Sequence, residues 1–255
     1  MKVLIKLGGT LLEAPESRRR LACEIAGVFE SGVAAVVVHG GGKQMTRFLE
    51  ERGVKSTFVN GLRVTSAEVL DAVVKVVAGS LNQELVAAFA AAGVPAVGLS
   101  GVDAGLAEAE QLNPELGFVG KPVRSNPKVL EVLTSNRLLP VVACVAGDRA
   151  GNMYNVNADQ MAVACARAFG VDKLLFLTDV EGVRSAAGEI LPKLSAGECR
   201  QLIADGVATG GMQAKLESAI SGLAAGIGEV VIAPGARPGV VGELVAGHEA
   251  GTRIS

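Results

Sequence analysis

Lys6 interrupts an otherwise aliphatic run, Val3-Leu4-Ile5 before it and Leu7 after it, and Gly8-Gly9-Thr10 follows. An ammonium near the end of a buried strand needs an anionic partner, and adjacent glycines let backbone N–H groups converge on a phosphate. The competing reading is a lysine whose stem snorkels out past the strand end. A second aliphatic run closes on His39-Gly40-Gly41-Gly42 and leads into a helix from Lys43. If the two strands are neighbours, both glycine turns line one crevice, because ligands of open α/β sheets bind outside the carboxyl ends of strands. Glycines needed only for close helix packing are the alternative. Neither turn has the GxxxxGK[ST] spacing of a P-loop, and GxGxxG does not occur.

Three further segments carry polar groups where a ligand could meet them. Asn155-Val156-Asn157-Ala158-Asp159-Gln160 precedes an apolar helix. Asn157 with Gln160 fits a capping box, and Asp159 in the first turn suits the helix dipole. That structural account leaves Asn155 unexplained and pointing to a ligand-facing loop. Thr209-Gly210-Gly211 opens another helix with Lys215 beside its apolar stripe. A helix N-terminus attracts phosphate and this lysine could reach the same anion, although such a lysine by itself is more often a solvated surface residue. Leu177-Thr178-Asp179-Val180-Glu181-Gly182-Val183 follows a strand and reads on its own as a turn. The two histidines, His39 and His248, are too few for a histidine-based acid/base or metal constellation. His39 is assigned to orienting its glycine loop.

The elements that must hold these groups are legible as alternation. Aliphatic runs at Val3–Leu7, Ala35–Val38, Val94–Leu99, Leu138–Val145, Lys173–Thr178 and Val230–Ala233 are separated mostly by amphipathic stretches at 17–30, 66–91, 157–169, 195–204 and 212–226. Continuous apolar strands imply a sheet covered on both faces. The spacing therefore predicts an α/β fold, a three-layer αβα sandwich with a mostly parallel open sheet. Segments 55–60, 105–111 and 117–123 mix polar residues, Gly and Pro and are expected as β-hairpins decorating the N-terminal half. The Gly-rich stretch Ala143–Asn152 marks the expected boundary between an N-terminal lobe, 1–145, and a C-terminal lobe, 146–255.

Composition narrows the classes. With 255 residues and 49% hydrophobic content the chain can bury a full core, and 33 glycines with only 3% aromatics suit tight strand-to-helix turns around an aliphatic interior. A net charge of −2 without a dense basic run argues against nucleic acid. Cys23, Cys144, Cys165 and Cys199 form no CxxC pair and are read as free thiols in a reducing compartment. Gly, Pro or charge breaks every apolar stretch, and no leader-like segment precedes the first strand, so no membrane association and a cytoplasmic location are expected.

Taken together, Lys6-Leu7-Gly8-Gly9, His39-Gly40-Gly41-Gly42, Asn60-Gly61-Leu62-Arg63-Val64-Thr65, Asn155-Val156-Asn157-Ala158-Asp159 and Gly211-Met212 through Lys215 resemble the amino-acid kinase family, in that family's order and spacing. Ala96–Asp103, Leu116–Lys121 and Gly251-Thr252-Arg253-Ile254 also match, so the resemblance spans nearly the whole chain. It is strongest for members that use ATP with Mg²⁺ to phosphorylate the side-chain carboxylate of N-acetyl-L-glutamate on the route to arginine. It implies that Gly41, Gly42, Arg63 and Asn155 hold the acylated amino acid, with Arg63 forking onto its α-carboxylate. Lys6 and Lys215 would flank the transferring phosphoryl group and Asp159 would orient both lysines. ATP would lie against Gly8, Gly9, the loop Asp179-Val180-Glu181-Gly182-Val183-Arg184, and Val207-Ala208-Thr209, with no protein metal site. The resemblance also implies an arginine-insensitive homodimer, since nothing before the first strand could form the extra helix of inhibited members. Two departures stand out, the basic run Gly120-Lys121-Pro122-Val123-Arg124 and Gln213-Ala214 before Lys215. Lys121 and Arg124 open a second reading, in which the acceptor is another acylated acid or a glutamate or aminoadipate on a small acidic carrier protein. A non-catalytic sensor of the same fold is the third.

Overall fold

The computed structural model describes residues 1–59 and 61–255; Asn60 of the matched segment lies outside them. Its strands are β1 (Lys2–Leu7), β2 (Ala34–His39), β3 (Phe58–Val59), β4 (Leu62–Arg63), β5 (Ala96–Ser100), β6 (Ala107–Gln111), β7 (Val119–Ser125), β8 (Leu139–Ala143), β9 (Val145–Gly147), β10 (Met153–Val156), β11 (Lys173–Thr178), β12 (Lys193–Leu194), β13 (Glu229–Pro234) and β14 (Thr252–Ile254). The α-helices are α1 (Pro15–Glu30), α2 (Gly42–Glu50), α3 (Ala67–Val73), α4 (Asn82–Ala91), α5 (Lys128–Ser135), α6 (Ala158–Phe169), α7 (Ala196–Ala204), α8 (Gly210–Ala224) and α9 (Val240–Val245).

Eight strands form one sheet in the order β12-β14-β13-β11-β1-β2-β8-β5. From β13 to β5 every pairing is parallel, and β14 joins β13 antiparallel. Successive side chains of a strand point to opposite faces, and each face has its own buried core. Val3, Ile5 and Leu7 of β1 pack with α1, α4 and α9 through Leu21, Ile25, Phe89 and Val241. Leu4 packs on the other face with residues of α2, α6 and α8, among them Met45, Met161 and Leu216. Lys6 shares the Leu4 face, so strand alternation alone directs it toward α6 and α8.

The expected hairpin segments 105–111 and 117–123 do pair with each other, β6 antiparallel to β7. They also gain β9 and β10, closing a small four-stranded barrel. Gly120 allows this closure, because a Cβ there would lie only 2.5 Å from that of Tyr154 on β10. The segment 55–60 supplies β3, which pairs with β4.

The stretch expected as one helix over 66–91 is a continuous helical run whose middle, Val74–Leu81, is π-helical. Its length and mean hydropathy of 1.3 would fit a membrane span, but Val69, Val73, Leu81, Leu85 and Phe89 are buried in the two cores. Helices α5 and α9 and strands β12 and β14 have no counterpart in the sequence reading. All four cysteines are free, and only Cys23 is exposed.

Candidate active site

Lys6, near the carboxyl end of β1, is 6% exposed, and its Nζ lies 2.7 Å from Oδ1 of Asp159 in the first turn of α6. Lys215, in the second turn of α8, places its Nζ 3.4 Å from Oδ2 of the same carboxylate. Burial is the largest influence on Asp159 and works to raise its pKa, yet the charges of Lys6 and then Lys215 prevail and hold it below the usual carboxylate range. Two ammoniums around one carboxylate leave a net positive charge in a nearly dry place, an arrangement suited to phosphate. The cap is only half as expected: Asn157 Oδ1 accepts from the backbone N–H of Asp159 at 2.9 Å and of Gln160 at 3.3 Å. The Gln160 side chain does not return the bond, and its Oε1 is buried without a partner.

The two glycine turns meet. A Cβ at Gly9 would lie 3.4 Å from the backbone nitrogen of Gly42, so the turns after β1 and β2 are in contact. Helix α2 starts at Gly42 with Gly41 as N-cap and no side-chain cap, and nothing lies within 4 Å of the Cβ position of Gly42. Its first N–H groups are therefore free to donate. Helix α8 likewise starts uncapped after Thr209, and Gly210, with φ of 53°, occupies backbone space that disfavours a side chain.

His39 is fully buried, with Nδ1 2.9 Å from Gly40 O and Nε2 2.9 Å from Asn82 Nδ2. Burial lowers its pKa to about 4, against a smaller raising effect of the Gly40 carbonyl. The imidazole is thus neutral, and its role is to hold the glycine turn. Because the unfolded chain binds the proton near pH 6.5 and the folded one only near 4, stability should rise with pH across that window. The expected gain is of order 3 kcal/mol. Chemical denaturation of wild type and His39→Gln from pH 4 to 7 checks it; equal slopes for both would refute the buried neutral assignment.

A cleft of about 160 Å³ opens beside these turns, lined by Gly40, Gly41, Gly42, Arg63, Cys144, Asn155 and Asn157 among others. Arg63 is buried on β4, its guanidinium donating to Ser56 Oγ, to Gly42 O at 3.0 Å and to Thr46 Oγ1 at 2.8 Å, with the Phe58 ring 4.6 Å away. Burial lowers its pKa and Glu50 opposes that effect. Asn155 Nδ2 donates to Thr65 Oγ1 at 3.1 Å, and Thr65 Oγ1 donates to Arg63 O at 2.8 Å. Asn155 and Arg63 are thereby joined through Thr65, a residue the sequence reading placed only inside a motif. Lys121 and Arg124 are exposed and stand in register opposite Glu110 and Glu108 of β6. The Glu108 carboxylate pairs with Arg149 instead, at 3.1 Å, and neither basic residue forms an ion pair with these glutamates.

The loops expected to meet the nucleotide lie beyond Gly8 and Gly9. Asp179, Val180, Glu181 and Arg184 are exposed, whereas Val183 and Ala208 are buried in the core. Val183 N donates to Thr252 Oγ1 at 2.8 Å and its carbonyl accepts from Leu191 N, so neither its side chain nor its backbone is free for a ligand. Ala208 N is bonded to Leu202 O. These two residues, with Gly182, which is buried against Thr252, brace the loops, and only Val207, Thr209 and the exposed positions face outward. Thr252, which also donates to Leu191 O at 2.6 Å, ties β14 to the loop; the sequence named it only inside the closing motif Gly251-Thr252-Arg253-Ile254. Among the described residues no group of three or more His, Cys, Asp or Glu side chains could hold a metal ion.

Residues 1–234 match the amino acid kinase family. The chain is 59% identical over 254 residues to the acetylglutamate kinase of Solibacter usitatus (strain Ellin6076), covering 100% of this chain and 99% of that one. It is 42% identical to the acetylglutamate kinase of Ruegeria pomeroyi over 253 residues, 99% of this chain and 88% of the relative. Among solved structures, smu.665 from Streptococcus mutans UA159 superposes with a TM-score of 0.86 at 30% identity, covering 100% and 98% of the two chains. With its ammonium–carboxylate–ammonium cluster at the mouth of two touching glycine turns, this chain belongs to the amino acid kinase family.

Proposed function

We propose that the protein transfers the γ-phosphoryl group of ATP to the side-chain carboxylate of N-acetyl-L-glutamate, giving the acyl phosphate and ADP. The observation that carries this reading is the Lys6–Asp159–Lys215 cluster beside a cleft whose wall holds a buried arginine. The acceptor carboxylate forms a new P–O bond as the bond between Pγ and the bridging oxygen breaks and ADP departs. No proton moves, since the carboxylate is already ionised at neutral pH, so no general base is required. What the reaction needs is neutralisation of charge on the phosphoryl oxygens of a loose transition state. Lys6 and Lys215 supply it, and the N–H groups of the glycine turns add preorganised donors. Asp159 keeps the two ammoniums close while they wait. The chain offers no metal cage among the described residues, so Mg²⁺ would arrive coordinated by the nucleotide's own phosphates.

In the same reading Arg63, in the lobe 1–145, and Asn155, just past its boundary, hold the acceptor, and the nucleotide sits over the lobe 146–255. The protein is taken to be a cytoplasmic homodimer; the outer edge of β5, unpaired among the described residues, is a surface a second copy could extend. Light scattering on the purified protein tests the dimer. Lys121 and Arg124 stay exposed without an ion-pair partner among the described residues, so the carrier-bound acceptor stands as the second reading. Hydroxamate trapping with ATP across free, acylated and carrier-bound glutamates tests the acceptor, and N-acetyl-L-glutamate is expected to dominate. Turnover with a carrier-bound acid alone, or none at all, would overturn the reading.

Arg63→Lys is expected to raise KM for N-acetyl-L-glutamate roughly tenfold or more and leave KM for ATP unchanged. A point charge cannot reproduce a bidentate fork on a carboxylate, and charge-assisted hydrogen bonds are worth about 1.5–3 kcal/mol. Titrations with each ligand check this. Equal weakening of both would move Arg63 out of the acceptor site.

A further inference from the structure

The helical run Ala67–Ala91 changes character where it crosses the sheet end. Its middle, Val74–Leu81, is π-helical and ends at Asn82, whose backbone N–H donates to Gly79 O. Val77 and Leu81 then close on Gly41, each with a carbon 3.0 Å from where a Cβ would stand. Asn82 is 1% exposed, and its amide donates to two acceptors, His39 Nε2 and Val141 O, both at 2.9 Å. Its Oδ1 occupies the space that a side chain at Gly98 would need. One polar side chain in an apolar helix thus touches β2, β8 and β5 together. A buried amide is expensive unless bonded, so its presence in an aliphatic layer calls for a role.

We propose that Asn82 is a positioning residue for the acceptor side of the reaction. By donating to Nε2 it leaves the proton of neutral His39 on Nδ1, where it donates to Gly40 O and fixes the plane of the Gly40–Gly41 peptide. The N–H groups of Gly41 and Gly42 are thereby presented to the cleft. Without Asn82 the ring can carry its proton on Nε2, Gly40 O loses its donor, and the turn relaxes. This inference rests on the proposed acceptor site, but its first readout does not.

With only two histidines in the chain, ¹⁵N NMR of the imidazoles reads the tautomer directly. Wild type at neutral pH should show His39 protonated on Nδ1 and bare on Nε2; the opposite tautomer overturns the proposal whatever the enzyme's substrate proves to be. Asn82→Ala should mix the two tautomers and raise KM for N-acetyl-L-glutamate roughly tenfold, the loss of about one buried hydrogen bond, with KM for ATP and kcat nearly unchanged. Gly98→Ala, on β5 and outside the cleft, should reproduce that signature by displacing the Asn82 side chain. The double variant should then be no worse than Asn82→Ala alone. A folded Asn82→Ala protein with wild-type tautomer and KM, equal rises in both KM values, or additive losses in the double variant would each make Asn82 a packing residue only. Absence of N-acetyl-L-glutamate turnover in wild type would instead sink the substrate and leave the tautomer result to decide the role of Asn82.

Discussion

Lys6→Ala and Lys215→Ala should each lower kcat by roughly 10²-fold or more, the cost typical of removing one preorganised donor from a developing charge. Most of the loss belongs in kcat and little in KM, because each ammonium gains most as charge gathers on the transferring oxygens. The two variants should differ in stability. Lys6 is the nearer and more buried partner of Asp159, at 2.7 Å against 3.4 Å and with 8% against 17% of its side chain exposed. Its removal leaves a buried carboxylate with only the longer contact, and the Asp159 pKa should rise further than in Lys215→Ala. Thermal melts beside steady-state kinetics separate the effects. Near-normal kcat in either variant would remove that lysine from the reaction.

Asp159→Asn distinguishes a cap residue from an anchor. As a first-turn acid it contributes roughly 0.3–1 kcal/mol through the helix dipole, and Asn would cost little more than that. As the counter-charge between two lysines it restrains groups that otherwise repel, and Asn keeps the shape while removing the charge. Turnover should fall by about 10²-fold or more, while ATP affinity holds or improves, since a carboxylate no longer competes with phosphate for the ammoniums. The acid limb of stability follows from linkage. A carboxyl with a lowered folded pKa contributes stability above its unfolded value of 3.8 that is lost as pH falls through the folded one. That component should be missing from the variant. A folded Asn protein with full turnover and an unchanged acid limb would leave Asp159 as a cap alone.

The sheet was legible because its central strands are mostly aliphatic runs, and Lys6 stood out as a charge inside one of them, whereas Lys2, Lys173 and Glu229 only open their strands. The glycine turns were legible for a similar reason, since paired or tripled glycines after such runs have few other uses. Strands β12 and β14 were not, because two or three residues carry no period to read, and Thr252 was visible only as part of the closing motif. Barrel closure depends on partners 30 or more residues apart in sequence, such as Asn155 and Val119, and no local pattern announces that pairing. Asn82 left a usable signal, an amide at the end of Val-Val-Ala-Gly-Ser-Leu in an apolar helix, although only the three-dimensional neighbours say what it bonds. The expected capping box failed on one side because the Gln160 side chain makes no bond back to the cap backbone and its Oε1 is buried without a partner.

The place of β1 between β2 and β11 has a consequence for biosynthesis. Its neighbours on one side are made early, but the contact between Lys2 and Asp172 spans 170 residues. At roughly 5–20 residues per second, the ribosome leaves one apolar edge of the first strand open for about 10–30 s. Long-range parallel pairing is also slow once the partner exists. Lys6 therefore meets Asp159 only after most of the polypeptide has been made, and until then the open edge of its strand is free to pair with other chains.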